Sequence, residues 1–330
     1  MATLAAPARP SSSWAPVWRL IAARVASALF TLLLVSLVVF VISGLLPGDA
    51  AQELLGQSAT PEALAALRHE LGLDLPGHVR YLNWLTGMFG GDPGQSLVAN
   101  MPVSEIIAER LPNSLLLAGL TTAVAVPVAL TIGIVSAMRR GSQVDRGLNV
   151  LTLALVAVPE FLVATVAVLI FAVKLRLLPS ITIVAKEASW GEFLRSYALP
   201  VMSLAIVVIA QMARMTRAAV VDQLNRPYVE MALLKGLKPT RIVITHVLPN
   251  AVGPIVNAMA LSLSYLLGGA IIVETIFNYP GLASLMVNAV TSRDMPLLQT
   301  CAMIFCAAYL TLVLIADVVA IVANPRLRSR

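Results

Sequence analysis

Apolar runs dominate the 330-residue chain, and several of them are long enough to cross a lipid bilayer as a helix. A membrane-spanning helix needs about 20 consecutive apolar residues. A soluble domain carries about 25% charged residues, whereas this chain carries 12%. The predicted spans lie roughly at residues 21–43, 114–137, 148–173, 199–214, 251–273 and 297–322. The pattern therefore predicts an all-α, polytopic membrane protein with six transmembrane helices.

Basic residues concentrate in the segments that follow the second, fourth and sixth predicted spans. Loops rich in Lys and Arg face the cytoplasm, so these segments are predicted to lie inside, with an N-terminal tail at 1–19 and a C-terminal tail at 324–330. The transmembrane domain is predicted to cover 20–323, and its acid-rich region 44–112 to be exterior. A cleaved signal peptide is the alternative for the N-terminus, but the first apolar run is too long for one. The net charge of +6 thus reflects loop orientation and does not indicate nucleic-acid binding.

The predicted cytoplasmic loop 225–249 is the longest polar interruption in the C-terminal half, and its residues predict two short helices with a break. Pro227 suits the first turn of a helix, and Gly236 can end that helix in a left-handed conformation. Pro239 can open a second helix, and Pro249 is predicted to stop it. Such a half-apolar, basic helix pair would lie against another protein or, alternatively, on the membrane surface.

This loop resembles the "EAA" loop of permease subunits of binding-protein-dependent ABC importers. The matching residues are Glu230, Ala232, Gly236, Leu248 and Pro249, with Met231 in place of an Ala and His246 in place of an Ile. Further groups are similar to the peptide/nickel branch: His246-x-Leu248-x-Asn250, Pro47-Gly48-Asp49, Gly72-Leu73-Asp74, Arg110-Leu111-Pro112-Asn113, Tyr279-Pro280-Gly281-Leu282, Arg293-Asp294-x-Pro296 and Asn324-Pro325-Arg326. The resemblance covers about residues 19–328.

The resemblance implies a type I ABC importer permease fold and a pore-forming, non-enzymatic role in a bacterial cytoplasmic (inner) membrane. It implies two ATPase subunits that bind ATP and Mg, a second homologous permease forming a heterodimer, and an extracytoplasmic solute-binding protein. No G-x-x-x-x-G-K-[ST] phosphate loop occurs in the chain, so no cofactor is expected in it. The implied solutes are peptides, with nickel chelates, opines, haem or sugars as alternatives. The implied ATPase-coupling residues are Tyr228, Glu230, Ala232, Gly236, His246, Leu248 and Pro249.

Carboxylates inside the predicted spans are candidates for the substrate path. An ionisable group at mid-membrane costs about 2.5–3.5 kcal/mol on insertion scales, so it is expected to be functional or paired. Glu160 follows Pro159 near the middle of the third span, and it either lines the path or bonds to neighbouring helices. Glu274, at the outer end of the fifth span, is predicted to anchor the outer loop at the pore mouth. Asp317 is predicted to make a structural hydrogen bond.

Two other classes of membrane protein make different predictions. An ion-driven transporter would carry broken helices and mid-membrane acids in both halves, but Glu160 has no obvious counterpart. A membrane enzyme would need a clustered nucleophile, base or metal set. The three histidines, His69, His78 and His246, are scattered and predict no metal site.

Overall fold

The computed structural model describes residues 15–45, 50–56, 60–70, 72–182 and 189–323, and the regular elements in these ranges are all helices. The all-α prediction is therefore confirmed. The C-terminal tail 324–330 and the Pro47-Gly48-Asp49 group lie outside the described residues. The helices are α1 Ala15–Gly44, α2 Ala50–Leu55, α3 Pro61–Glu70, α4 Gly77–Phe89, α5 Val103–Met138, α6 Gln143–Ala157, α7 Glu160–Ala167, α8 Trp190–Leu224, α9 Pro227–Leu234, α10 Pro239–Ile242, α11 Leu248–Ile276, α12 Leu282–Thr291 and α13 Met295–Ala323.

Within the described ranges, five helical stretches are long and apolar enough to cross a membrane: Trp18–Gly44, Val103–Met138, Trp190–Leu224, Pro239–Ile276 and Met295–Val322. The helix pair Gln143–Ala157 and Glu160–Lys174 is bent by 97° at its break. It gives a sixth span if the two helices count as one. The second part of the pair includes the π-helical turn Val168–Lys174. The prediction of six spans thus holds, with the third span broken.

The bend has a local cause at Pro159, which lies inside the predicted third span. A proline disfavours the helical conformation in the residue before it. Val158 accordingly adopts an extended conformation, with φ −83° and ψ 126°. Pro159 then stands directly before the first residue of α7, Glu160.

Pro249 does not stop the second short helix, so that prediction is wrong. The helix begins at Pro239 as predicted, passes through the π-helical turn Val243–Val247 and continues as α11. Pro249 has no N–H to donate to the preceding turn, and the π turn changes the hydrogen-bond register directly before it. The side-chain amide of Asn250 donates to the carbonyl oxygen of His246 at 2.6 Å. The polar loop is therefore continuous with a membrane span.

The predicted boundaries of the tail and of the exterior region fall inside helices. α1 begins at Ala15, within the segment assigned to the N-terminal tail, and α5 begins at Val103, within the region 44–112. α5 packs along α8, which also contacts α11, and α1 lies against α13. α4 contacts α1, and the loop after α4 meets the N-terminal end of α5, where the Val103 N–H donates to the Gly94 carbonyl oxygen at 3.0 Å.

Candidate functional site

The segment 227–247, which comprises α9, α10 and the π turn, owes its bend to one glycine. Gly236 has a φ of +76°, a backbone conformation that residues other than Gly and Asn rarely adopt. Its N–H donates to the carbonyl oxygen of Leu233 at 2.9 Å, and the Leu237 N–H donates to that of Ala232 at 3.2 Å. These two bonds form a Schellman motif. The predicted helix, stop and restart at Pro227, Gly236 and Pro239 are confirmed.

One face of the 227–247 segment is anchored to the membrane helices. Val229, Ala232 and Ile242 are buried in one cluster with Ala137 of α5 and Val220 of α8. The opposite face exposes large apolar side chains to solvent. Their exposed fractions are 55% for Met231, 51% for Leu233, 76% for Leu234 and 61% for Ile244.

The seven predicted coupling residues lie on this segment and on the first turn of α11, but they do not share a face. Glu230, Gly236, His246 and Pro249 are exposed, Leu248 is half-buried, and Ala232 belongs to the anchoring face. The Tyr228 hydroxyl donates to the Oε1 of Gln223 at 3.1 Å. Desolvation raises the pKa of Tyr228 above its ordinary value, so its hydroxyl stays a neutral donor.

A buried ion pair near this segment was not predicted from the sequence. Asp145, in the first turn of α6, is 4% exposed and accepts two hydrogen bonds from Arg217 of α8. Ser136 of α5 and the Gly141 N–H also donate to this carboxylate. A possible signal was Ser142 three residues before Asp145, because the Ser142 hydroxyl caps α6 by accepting from the Asp145 N–H.

Glu160 lies at the break of the bent span and packs on α11. A Cβ at Gly269 would overlap the Glu160 carboxylate, so the two helices approach closely only because residue 269 is a glycine. Among the described residues, Glu160 has no hydrogen-bond or ion-pair partner, and it is half-buried. Of its two predicted roles, the structure thus gives no support to bonding with a neighbouring helix.

Glu274, by contrast, is fully buried, and its carboxylate is surrounded by donors. It accepts from the Ser114 hydroxyl at 2.6 Å and from the N–H groups of Ala283 and Ser284 at 2.8 and 2.9 Å. The neighbouring Tyr279 donates to the Asn113 carbonyl oxygen at 2.6 Å, and burial raises the pKa of Tyr279, so its hydroxyl stays protonated. This geometry favours the predicted anchoring role over direct contact with solute.

Asp317 pairs with Arg24 of α1 at 3.3 Å, so its predicted structural bond is an ion pair between the first and last spans. No group of His, Cys, Asp and Glu in the described ranges could hold a metal ion.

The chain is similar to known transport proteins over nearly its whole length. The family described as "Binding-protein-dependent transport system inner membrane component" matches residues 129–329, and its N-terminal companion matches residues 17–118. A protein of Brucella abortus named as a peptide transport system permease is 37% identical over 94% of this chain and 98% of its own. The glutathione transport system permease protein GsiC of Salmonella typhimurium is 37% identical over 91% of this chain and 95% of its own.

The inward-facing structure of the MetNI methionine ABC transporter supports the fold alone, with 16% identity and a TM-score of 0.50 over 67% of this chain and 94% of that one. These matches favour the ABC importer over the ion-driven transporter and the membrane enzyme. The chain therefore belongs to the family of binding-protein-dependent transport system inner membrane components, as a multi-pass permease subunit that works with ATPase and solute-binding partners.

Proposed function

We propose that the chain forms half of the pore of an importer for peptides or similar small solutes, and that α9 docks in a groove of an ATPase subunit. The observation that carries the docking is the exposed apolar face of Met231, Leu233 and Leu234 beside Glu230. An exposed apolar face on a soluble loop is typical of a protein interface. The opposite face is packed on α5 and α8, so a force on α9 would reach the spans directly.

The same proposal assigns the partners and the orientation. The segment 227–247 carries Lys235, Lys238 and Arg241, and such basic loops face the cytoplasm. Both termini would then be cytoplasmic. ATP and Mg would bind to two ATPase subunits there, and a second, homologous permease would complete the pore as a heterodimer. ATPase closure would shift the spans between inward-open and outward-open populations.

The proposed solute class rests on the names of the relatives, which refer to peptide and glutathione transport. Both solutes contain peptide bonds and ionised amino groups. Glu160, a carboxylate that pairs with none of the described residues and lies at the break of a span, would meet such an amino group. Glu274 would position the outer loop rather than touch the solute. Nickel chelates, opines, haem and sugars remain the alternatives.

Co-purification of the tagged chain in mild detergent, with mass spectrometry of the retained proteins, tests the docking. Leu234→Arg and Glu230→Lys should lose the ATPase subunits while keeping the second permease. Glu105→Lys is a matched control, because Glu105 is an exposed acid in the first turn of α5, at the other end of the molecule. Retention of the ATPases by both docking variants would refute the proposal.

A further inference from the structure

A cleft of about 420 Å³ opens beside α4, at the end of the molecule opposite α9. It lies between α4, the outer end of α1 at Phe40 and the first turn of α13. Its polar lining includes Arg80 and Asn83 of α4 and Gln299 of α13. Gln299 is held in place, because its side-chain amide donates to the Ser43 hydroxyl at 2.7 Å. This hydrogen bond fixes one polar group of the cleft in position.

Arg80 supplies a cation to this cleft. Among the described residues, no carboxylate lies within ion-pair distance of its guanidinium, and Arg80 as a whole is half-buried. Asp92 also lines the cleft, but its Oδ1 accepts from the Gly94 N–H at 3.1 Å instead. A guanidinium beside the Asn83 side-chain amide is suited to bind an oxyanion such as a phosphodiester.

The side chains around the cleft are those of a membrane–water interface. Phe40, Tyr81 and Trp84 form an aromatic cluster with ring centroids 5.3 to 6.3 Å apart. Tyr and Trp are enriched where bilayer headgroups lie. α4 also exposes Leu82 and Phe89, which are 54% and 72% exposed, as an amphipathic helix at an interface does. The cleft also lies beside the ends of two candidate spans, near Phe40 of Trp18–Gly44 and at the start of Met295–Val322, where headgroups would be expected.

An apolar groove of about 700 Å³ lies against the other side of α4 and leads away from the cleft. Pro93 lines both cavities. Three helices run down the groove: α1 from Ser36 to Leu29, α5 from Ser104 to Leu111 and α13 from Thr300 to Ala307. Each stretch advances seven residues from the α4 end toward mid-membrane, which is about 10 Å at 1.5 Å per residue. The groove thus has the direction and lining that an acyl chain requires.

We propose that the cleft and the groove together bind one phospholipid of the leaflet opposite α9. Its phosphodiester would contact Arg80 and Asn83, and one acyl chain would lie between α1, α5 and α13. This site is separate from the proposed ATPase-docking face of α9 and from the proposed solute path at Glu160. The groove alone would also suit an apolar helix of a partner permease, but such a helix would bring no anion to Arg80 in the neighbouring cleft. The charge therefore favours the lipid.

Native mass spectrometry of the delipidated, full-length chain in detergent would measure the binding of three probes. These are dioleoylphosphatidylglycerol, dioleoylphosphatidylethanolamine and dioleoylglycerol, which has no phosphate. We expect Arg80→Gln to weaken both phospholipids about tenfold, as loss of a charge-assisted contact does, and to leave dioleoylglycerol unchanged. Ala108→Trp, which fills the groove, should weaken all three probes.

Matched controls separate these effects from general damage. Arg195→Gln removes an exposed arginine from α8, and Ala154→Trp adds the same bulk as Ala108→Trp at an exposed position on α6. Neither residue lines the cleft or the groove. Both should bind the probes as the unmodified chain does. Phospholipid binding by Arg80→Gln equal to that of Arg195→Gln would overturn the proposal.

A photo-crosslinking amino acid at Leu33 tests the occupant in intact membranes that contain the complete importer. Leu33 lines the groove and is 45% exposed. An adduct with the mass of a phospholipid supports the proposal. An adduct with a second polypeptide would show that a partner permease fills the groove, and would overturn it.

Discussion

Arg217 of α8 donates hydrogen bonds to both carboxylate oxygens of Asp145 of α6, from Nε to Oδ1 at 2.7 Å and from Nη2 to Oδ2 at 2.8 Å. The Ser136 hydroxyl of α5 reaches the same Oδ1 at 2.5 Å, and the Gly141 N–H reaches Oδ2 at 3.0 Å. One carboxylate thus joins three helices close to the anchored face of α9. The bent span begins with α6, so this ion pair attaches that span to the helices that carry the 227–247 segment.

Removal of the Asp145 carboxylate should destabilise the protein strongly. Asp145→Ala leaves the partly buried Arg217 charge without its partner, and breaking a buried pair costs about 3–5 kcal/mol. Asp222→Ala is the control, because Asp222 pairs with Arg226 on the surface, with side chains 61% and 54% exposed. Such pairs contribute about 0.3–0.5 kcal/mol. Denaturant unfolding in detergent micelles measures both, and similar losses in the two variants would contradict the prediction.

Substitution by alanine should lower the stability of the protein at one glycine of α5 and not at another. At Gly133, a Cβ would lie 2.7 Å from both the Ala213 carbonyl oxygen and the Thr216 Cβ of α8. Gly133→Ala should therefore push α5 and α8 apart, at about 1–3 kcal/mol for overpacking. At Gly119, a Cβ would meet nothing within 4 Å, so Gly119→Ala should be neutral or slightly stabilising. Thermal unfolding in micelles compares them, and equal midpoints would refute close packing at Gly133.

The left-handed turn at Gly236 should matter for partner binding more than for folding. Gly236→Ala places a side chain at a φ of +76°, which costs about 1–2 kcal/mol, and no packed atoms oppose the new Cβ. The strain would be relieved by re-angling α9, so retention of the ATPases on purification should fall. Gly236→Asn is the control, because Asn tolerates this conformation. If the Ala and Asn variants retain the ATPases equally, the turn does not set the docking angle.

The loop between α4 and α5 should depend on its hydrogen bonds to Asp294, directly before α13. Asp294 is buried and accepts from the Ser96 hydroxyl and from the N–H of Leu97 at 3.2 Å. In Asp294→Asn the acceptor loses its negative charge, so these charge-assisted hydrogen bonds weaken. Hydrogen exchange should then speed up in the loop that contains Ser96. Asp74→Asn, at an exposed position, should leave that exchange unchanged, and the Asp294 hydrogen bonds have no role if both variants exchange alike.

The residues that could be predicted from sequence act through local rules. Pro227, Gly236 and Pro239 determine their own backbone, so the short helices of the 227–247 segment were predicted correctly. The apolar runs likewise predicted the five spans that consist of a single helical stretch. Hydropathy does not report the direction of a helix axis, however, so the 97° bend at Pro159 was not predicted. Pro249 failed as a stop signal because the preceding π turn accommodates it.

The missed features of the site are tertiary. Nothing in the spacing of Asp145 and Arg217 indicates that they meet, since they lie 72 positions apart in the chain. Gly268 and Gly269 look equivalent in the sequence, yet a Cβ would meet nothing at Gly268 and the Glu160 carboxylate at Gly269. Such contacts depend on how the helices pack, which a single sequence does not show.

Glu160 gives the sharpest test of the solute path. If its carboxylate meets the amino group of a peptide, Glu160→Gln should reduce uptake of a free tripeptide about tenfold, the value of one charge-assisted hydrogen bond. Uptake of the same peptide with an acetylated amino terminus should not change. Gly269→Ala should act like Glu160→Gln because its Cβ displaces the carboxylate, whereas Gly268→Ala should have no effect. Uptake into proteoliposomes that contain the complete importer measures all four cases. An equal fall for free and acetylated peptide would mean that Glu160 supports the bent span and does not select the solute.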